Sequence, residues 1–108
     1  GYVGNIVMRD RQHLAEDGIM IIVLTLEKGS NVLLSGPDIV SRGFVYVRES
    51  EDLMEQARAV VYDAVDKCLD RNITDWGKMK NVMKDALGDY IRKRTKRNPM
   101  ILPIIMEV

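Results

Sequence analysis

Apart from carboxylates, this sequence offers few side chains that commonly carry out chemistry. It contains one histidine, His13, and one cysteine, Cys68, so a single copy cannot assemble a zinc site of the usual His/Cys type. No nucleophile motif such as G-x-S-x-G accompanies His13, and no G-x-x-x-x-G-K-S/T phosphate loop is present. The 16 acidic residues do not form a calcium-loop motif. We therefore expect the chain to be non-catalytic by itself, with no metal or cofactor of its own.

The first half of the chain is predicted to form short strands. Residues Ile19–Leu26 form a continuous run of mostly β-branched and aliphatic side chains, too short for a typical buried helix and typical of a strand. A polar loop over 28–31 precedes a second, antiparallel strand over 31–34, and Gly-Pro-Asp at 36–38 predicts a turn. Two further short strands are possible, over 6–8 and 44–47.

The second half predicts two helices and a strand. Ser50 is a natural N-cap, apolar residues then recur at helical spacing from Leu53 to Leu69, and Asn72 ends the first helix. Thr74 is the predicted cap of the second helix, and Asn98–Pro99 its stop signal. Residues 100–108 read as a last strand.

The order of elements predicts an α/β (α+β) domain of two layers. We expect a small mixed three-stranded sheet, with a possible fourth short strand and a two-helix hairpin on one face, in the order β-β-α-α-β. Residues 1–17 form a lead-in segment and 18–108 the domain. Pro103 lacks an N–H, so the last strand should lie at an edge of the sheet, which leaves Ile19–Leu26 in the centre.

The strands are apolar on both faces. A sheet with one solvated face should alternate apolar and polar residues, but neither Ile19–Leu26 nor 100–106 does so. Two helices cover one face only, which leaves a second face of about 400 Å². The candidate interface residues are Ile19, Ile21, Val23, Ile101 and Ile105. One alternative is coverage from within, by 5–17 and 44–47; the other is a partner, either a second copy or the rest of a longer polypeptide.

Charge is distributed unevenly although the formal net charge is zero. Residues 51–70 carry six acids against two bases, whereas 78–97 carry eight bases against two acids. Pairing across the helical hairpin is one explanation, and a phosphate-contacting stripe is the other. The candidate RNA-contacting residues are Arg92, Lys93, Arg94, Lys96 and Arg97.

One segment partly matches a nucleic-acid-binding signature. Residues 42–47, with Phe44 and Tyr46 on one strand face, resemble the basic-Gly-aromatic pattern of the RNA-recognition motif. Val45 and Glu49 do not fit that pattern, and the order of elements lacks a helix between the early strands. We therefore expect Phe44 to pack in the core.

The composition predicts a soluble, cytoplasmic protein with no membrane partner. No apolar run approaches the ~20 residues of a bilayer span. The first residues lack the features of a signal peptide, and a single cysteine is compatible with a reducing compartment.

Several blocks, taken together and in this order, resemble the C-terminal domain of bacterial ribonuclease J over essentially the whole chain. They are Asn-Ile-Val-Met-Arg-Asp-Arg at 5–11, Glu-Asp-Gly at 16–18, Gly-Pro-Asp at 36–38, Ser-Arg-Gly-Phe-Val-Tyr at 41–46, and Thr-Lys-Arg-Asn-Pro-Met-Ile-Leu-Pro at 95–103. Ala15 and Asn98 depart slightly from the usual pattern.

The resemblance implies that the chain is part of a larger enzyme. That enzyme would be a zinc-dependent ribonuclease of the metallo-β-lactamase superfamily, with 5′-to-3′ exonuclease and endonuclease activity in messenger RNA decay and ribosomal RNA maturation. Its metal-ligating motif is absent here, so no catalytic residue is carried over. The implied partners are a second copy or the parent catalytic domains, and RNA through the parent enzyme.

Overall fold

The computed structural model describes residues 17–44 and 50–108. Its strands and helices follow the predicted order, β-β-α-α-β. Their bounds are β1 Ile19–Leu26, β2 Leu33–Arg42, α1 Ser50–Asp70, α2 Trp76–Thr95 and β3 Met100–Glu107. The predictions of a strand over 6–8 and of strand pairing over 45–47 lie outside the described residues. Phe44, which is described, belongs to no strand and is buried in the core as predicted.

The three strands form one mixed sheet with β1 in the centre. The strand order is β2-β1-β3, with β2 antiparallel and β3 parallel to β1. The mixed sheet, the central position of β1 and the edge position of β3 are therefore confirmed. The parallel pair is possible because β2 returns the chain to the end of the sheet where β1 begins, and the helical hairpin between β2 and β3 starts and finishes at that end, where Arg42 and Met100 both pair with Ile19.

The second strand is longer than predicted. The structure has no chain reversal at 36–38; instead β2 continues through Gly-Pro-Asp to Arg42. The register between β1 and β2 shifts between Val23 and Leu26, so the extra residues form a bulge in an edge strand. Gly36 makes this path possible, because it has a φ of +87° and a Cβ there would lie 2.6 Å from the Val23 carbonyl oxygen.

The two helices cover one face of the sheet. Helix α1 begins at Ser50, and its buried side chains follow the predicted stripe: Leu53, Ala57, Val61, Val65 and Cys68. Helix α2 buries Met79, Met83, Leu87 and Ile91. These side chains pack on alternate residues of β1, namely Met20, Ile22, Leu24 and Leu26, which are 0–1% exposed. The apolar core therefore lies between the helices and this face.

Both ends of α2 differ from the prediction. The N-cap is Asp75 rather than Thr74, since the Asp75 side chain accepts a hydrogen bond from the Lys78 N–H. The helix ends at Thr95, before the Asn98–Pro99 stop, because Lys96 takes a left-handed conformation and its N–H donates to the Arg92 carbonyl.

The turn between α2 and β3 is held by an acidic side chain from the start of the described chain. Asp17 accepts a 2.8 Å hydrogen bond from the Asn98 N–H, and its carboxylate lies 3.8 Å from the Arg97 guanidinium. The Met100 N–H donates to the Gly18 carbonyl at 2.9 Å. These contacts place the start of β3 beside the start of β1.

Neither described helix is long and apolar enough to cross a membrane.

Candidate docking surface

The sheet face opposite the helices, which we call the open face, is largely apolar. Side chains alternate between the two sides of a strand, and directly paired residues share a side. The open-face residues of β1 are therefore Ile19, Ile21, Val23 and Thr25. Their partners on β3 are Met100, Leu102, Ile104 and Met106, and on β2 they are Arg42, Val40, Asp38 and Ser35.

Large apolar side chains remain exposed on this face within the described structure. Val40 is 41% exposed, Leu102 46% and Met106 47%, while Ile19, Ile21 and Val23 are half-buried. The largest contiguous apolar patch on a monomeric protein is about 300–600 Å² and is often an interaction surface. The described structure therefore has the apolar strand surface inferred from the sequence, and the alternative of coverage by 5–17 and 44–47 falls mostly outside the described residues.

Two of the five predicted interface residues lie on the other side of the sheet. Ile101 pairs with Met20 and Ile105 pairs with Leu24, so both point toward the helices. Ile101 is 7% exposed and Ile105 is partly buried against the core. The structure therefore brings together Ile19, Ile21 and Val23, and separates them from Ile101 and Ile105.

The residues missed by the prediction are those that pair with β1 on the open face. They are Val40 on β2 and Met100, Leu102, Ile104 and Met106 on β3. The alternation of β3 divides 100–106 into two sets, but both sets are apolar. Which set faces the helices depends on the register of a parallel pair, and no local residue pattern determines that register.

Both edges of the sheet contain proline. The Met100 and Val108 N–H groups donate to carbonyls at Gly18 and Leu26, so the alternate residues 101, 103, 105 and 107 direct their backbone groups outward. Pro103 is among them, so its missing N–H interrupts the outer edge of β3 and leaves the hydrogen bonds between β3 and β1 intact. On the other edge, Pro37 lies in the β2 bulge. Both features disfavour the addition of another strand, so contacts through the sheet would form through its face.

Three of the five candidate RNA-contacting residues already have partners within the domain. Arg92 pairs with Asp89 and Arg97 with Asp17. Arg94 Nη1 lies 2.8 Å from both Gln56 Oε1 and the Tyr90 hydroxyl. Lys93 and Lys96 are exposed, and neither has an ion pair or side-chain hydrogen bond with the rest of the described structure.

Contacts across the helical hairpin concentrate at one end. Asp52 and Gln56 of α1 meet Tyr90 and Arg94 of α2, with the Arg94 guanidinium 3.9 Å from Asp52 and 5.6 Å from the Tyr90 ring centre. The Arg94–Asp52 pair is the one ion pair that joins α1 to α2 in the described structure. Pairing across the hairpin therefore involves few of the charges, and the acidic and basic helix surfaces remain largely separate.

Comparison with known proteins agrees with the resemblance seen in the residues. A family model described as the ribonuclease J C-terminal domain matches residues 6–108. The chain belongs to this family. It is 51% identical over all 108 residues to ribonuclease J2 of Bacillus subtilis strain 168, and 48% identical to ribonuclease J 2 of Staphylococcus aureus strain NCTC 8325. It spans about a fifth of the length of these relatives, 20% and 19% respectively.

Four of the five blocks that carry the ribonuclease J resemblance have residues with structural roles in the described part of this domain, and the block at 5–11 lies outside it. Asp17 and Gly18 bind the turn at 97–100, which joins the second block to the last. Gly36 forms the β2 bulge, and Phe44 completes the core beside Gly18. An added Cβ at Gly18 would lie 2.4 Å from the Arg42 carbonyl oxygen. The described parts of these blocks therefore stabilise the fold, and none of these contacts forms a catalytic arrangement.

The described residues do not fit the zinc centre that the resemblance implies for a parent enzyme. No three histidine, cysteine, aspartate or glutamate side chains lie together as possible ligands in 17–44 or 50–108. Cys68 lies on the buried face of α1, and His13 lies outside the described residues. No chemical step is assigned to a metal here.

Proposed function

We propose that this domain is the assembly module of a ribonuclease J-type enzyme. In this proposal the parent is a zinc-dependent exo- and endoribonuclease that acts in messenger RNA decay and ribosomal RNA maturation in the cytoplasm. The domain contributes subunit association or docking to the catalytic region, and contributes no catalytic group. The zinc ligands belong to the parent outside this chain.

The observation that carries the proposal is the apolar open face. Its eight apolar residues lie on all three strands: Ile19, Ile21, Val23, Val40, Met100, Leu102, Ile104 and Met106. Burying about 400 Å² of such surface stabilises a contact by about 10 kcal/mol before the loss of translational and rotational freedom, at ~25 cal/mol per Å². The rest of the parent supplies ample surface to bury it, since the relatives are about five times longer than this chain.

RNA contact through the basic helix is the second candidate function, and it has less support. Three residues of the five-residue candidate set bind carboxylate, amide or hydroxyl groups inside the domain, so Lys93 and Lys96 are the two members of that set without such partners in the described structure. These two lysines, together with the exposed Lys78, Lys80 and Lys84 of α2, would provide a salt-sensitive contact with phosphates.

The test places a charge on the open face of the full-length enzyme. Leu102→Asp, at a 46% exposed position, leaves the core untouched but introduces an unpaired carboxylate into the proposed contact. Tyr62→Asp is the matched control, because Tyr62 is 51% exposed on α1, away from the sheet. The mass of each variant is measured by light scattering, and RNA affinity is measured in parallel.

We expect Leu102→Asp to weaken assembly about 30-fold or more, as for an uncompensated buried charge, and Tyr62→Asp to leave the mass unchanged. Equal masses for both variants would contradict the assembly function. Weaker RNA binding in Lys93→Glu/Lys96→Glu enzyme of unchanged mass would instead support the RNA-contacting function.

A further inference from the structure

A groove runs along one flank of α2, between this helix and the outer edge of β3. It consists of two adjoining hollows of about 600 Å³ and about 710 Å³, which share Lys84 and Ile101 in their walls. Helix and strand approach closely where the hollows meet, since a Cβ at Gly88 would lie 3.4 Å from the Ile101 Cδ1. The groove extends along 77–92 of the helix, about 22 Å at 1.5 Å per residue.

Positive charge is concentrated in the half of the groove next to the start of α2. Lys78, Lys80 and Lys84 line this half, against the single carboxylate of Asp75. All three lysines are exposed, and none has an ion pair or side-chain hydrogen bond with the rest of the described structure. The Asp75 carboxylate already accepts the Lys78 backbone N–H as the helix cap. The other half contains as many acids as bases.

The groove lies on the basic side of the domain. Helix α2 packs beside β3, whereas the acidic helix α1 packs beside β2. The two sets of charges are therefore held on opposite sides of the hairpin, and they meet in the described structure at the Arg94–Asp52 pair. Charge separated in this way attracts a negatively charged ligand toward the flank of α2 and repels it from α1.

We propose that the basic half of this groove binds the phosphate backbone of a single RNA strand. Lys78, Lys80 and Lys84 contact the phosphates as point charges. No aromatic side chain of the described residues lines either hollow, so the groove offers no platform on which bases could stack. The contact is therefore expected to be independent of base sequence. Of the five RNA-contacting residues predicted from the sequence, only Arg92 lines the groove.

The arrangement of the lysines favours a strand over other anions. A small anion such as a free nucleotide needs cations that converge on one point, but these side chains are exposed and spread over about 9 Å of helix. An acidic peptide would bind most simply as a strand added to β3, and Pro103 lacks the N–H that such pairing needs. A polymer of phosphates gains from several weak contacts in a row.

This RNA contact goes beyond the assembly function and is compatible with it. The lysines lie on α2, in the other layer of the domain from the open face, so a partner on the open face leaves them exposed. The choice of RNA as the phosphate polymer rests on the proposed ribonuclease parent. The domain would then hold substrate as well as assemble the enzyme.

The test measures the binding of a fluorescein-labelled oligouridine of about 12 nucleotides to the 108-residue chain. Fluorescence anisotropy is recorded from about 50 mM to about 200 mM salt. Lys80→Glu/Lys84→Glu reverses two charges in the groove. Lys93→Glu/Lys96→Glu is the matched control, because it makes the same charge change at exposed positions near the other end of α2, outside the groove. Thermal melting shows that each variant is folded.

We expect the groove variant to bind about tenfold more weakly at the lowest salt concentration. Its slope of log affinity against log salt should fall by about 1.4, since each phosphate contact with a single strand contributes ~0.7. The control should keep the wild-type slope and an affinity within about twofold of the wild type. Lys80→Arg/Lys84→Arg retains both charges and should also keep the slope.

Equal losses in the two double-glutamate variants, or a loss in the control alone, would overturn the groove as the site. So would a wild-type chain that does not bind the oligouridine at about 50 mM salt and about 1 mM protein. Tighter binding of an oligoglutamate or of a free nucleoside triphosphate than of the oligouridine would overturn the assignment to RNA, in favour of an acidic peptide or a small anion.

A separate measurement distinguishes this inference from the assembly function. Full-length Lys80→Glu/Lys84→Glu enzyme should keep the mass of the wild type, because the substitutions leave the open face unchanged. The assembly function is judged by the mass of the full-length Leu102→Asp enzyme. A smaller mass for the groove variant would show that its lysines act in assembly, and would overturn their role as an RNA site alone.

Discussion

At the scale of single residues, Gly36 shows how a turn signal can belong to a strand. Gly-Pro-Asp is common in turns because glycine takes positive φ and proline fixes its own φ. The same properties permit a bulge in an edge strand, and whether a partner strand lies alongside decides between the two. Residues 36–38 therefore could not be assigned to β2 from local sequence.

Replacing Gly36 by alanine should destabilise the domain more than replacing Gly29. Both glycines have a φ of +87°, so both substitutions carry about 1 kcal/mol of left-handed strain. A Cβ at Gly36 would also lie 2.6 Å from the Val23 carbonyl oxygen, whereas nothing lies within 4 Å of a Cβ at Gly29. Urea unfolding should show Gly36→Ala about 2 kcal/mol less stable than Gly29→Ala. Equal stabilities would show that β2 does not approach β1 closely at the bulge.

At the scale of elements, the helices were the part best predicted from sequence. Helical spacing of apolar residues identifies the buried face directly, and Val61, Val65, Met83 and Leu87 are all fully buried as that spacing predicts. The ends were less accurate because Thr74 and Asp75 are both good caps. The sides of β3 were assigned incorrectly, since its alternate residues are apolar on both sides.

A charge on the buried face of α1 should unfold the domain. Val61 is 0% exposed, so Val61→Asp buries an unpaired carboxylate against the sheet and should reduce the free energy of unfolding by more than about 3 kcal/mol. Ala59→Asp makes the same charge change at an exposed position of α1 and should reduce it by less than about 1 kcal/mol. Thermal unfolding of the two variants and the wild type measures both changes in stability. Similar melting temperatures would contradict the assignment of the buried face.

At the scale of the whole molecule, two helices and three strands leave one sheet face open in the described structure. That imbalance was visible in the sequence, because Ile19–Leu26 is apolar on both sides. The sequence did not show that Arg42 pairs with Ile19 and Asp38 with Val23, because this register depends on how far β2 extends past its bulge. The surface could therefore be anticipated, whereas its charges required the fold.

Methyl NMR tests the role of the open face most directly. In the isoleucine-labelled 108-residue chain, Ile19, Ile21 and Ile104 report on the open face, and Ile22 and Ile91 on the core or its helical side. We expect the resonances of the first group to shift as the concentration rises from about 10 μM to about 1 mM, while those of the second stay constant. Open-face resonances that do not move over this range would contradict self-association through this surface.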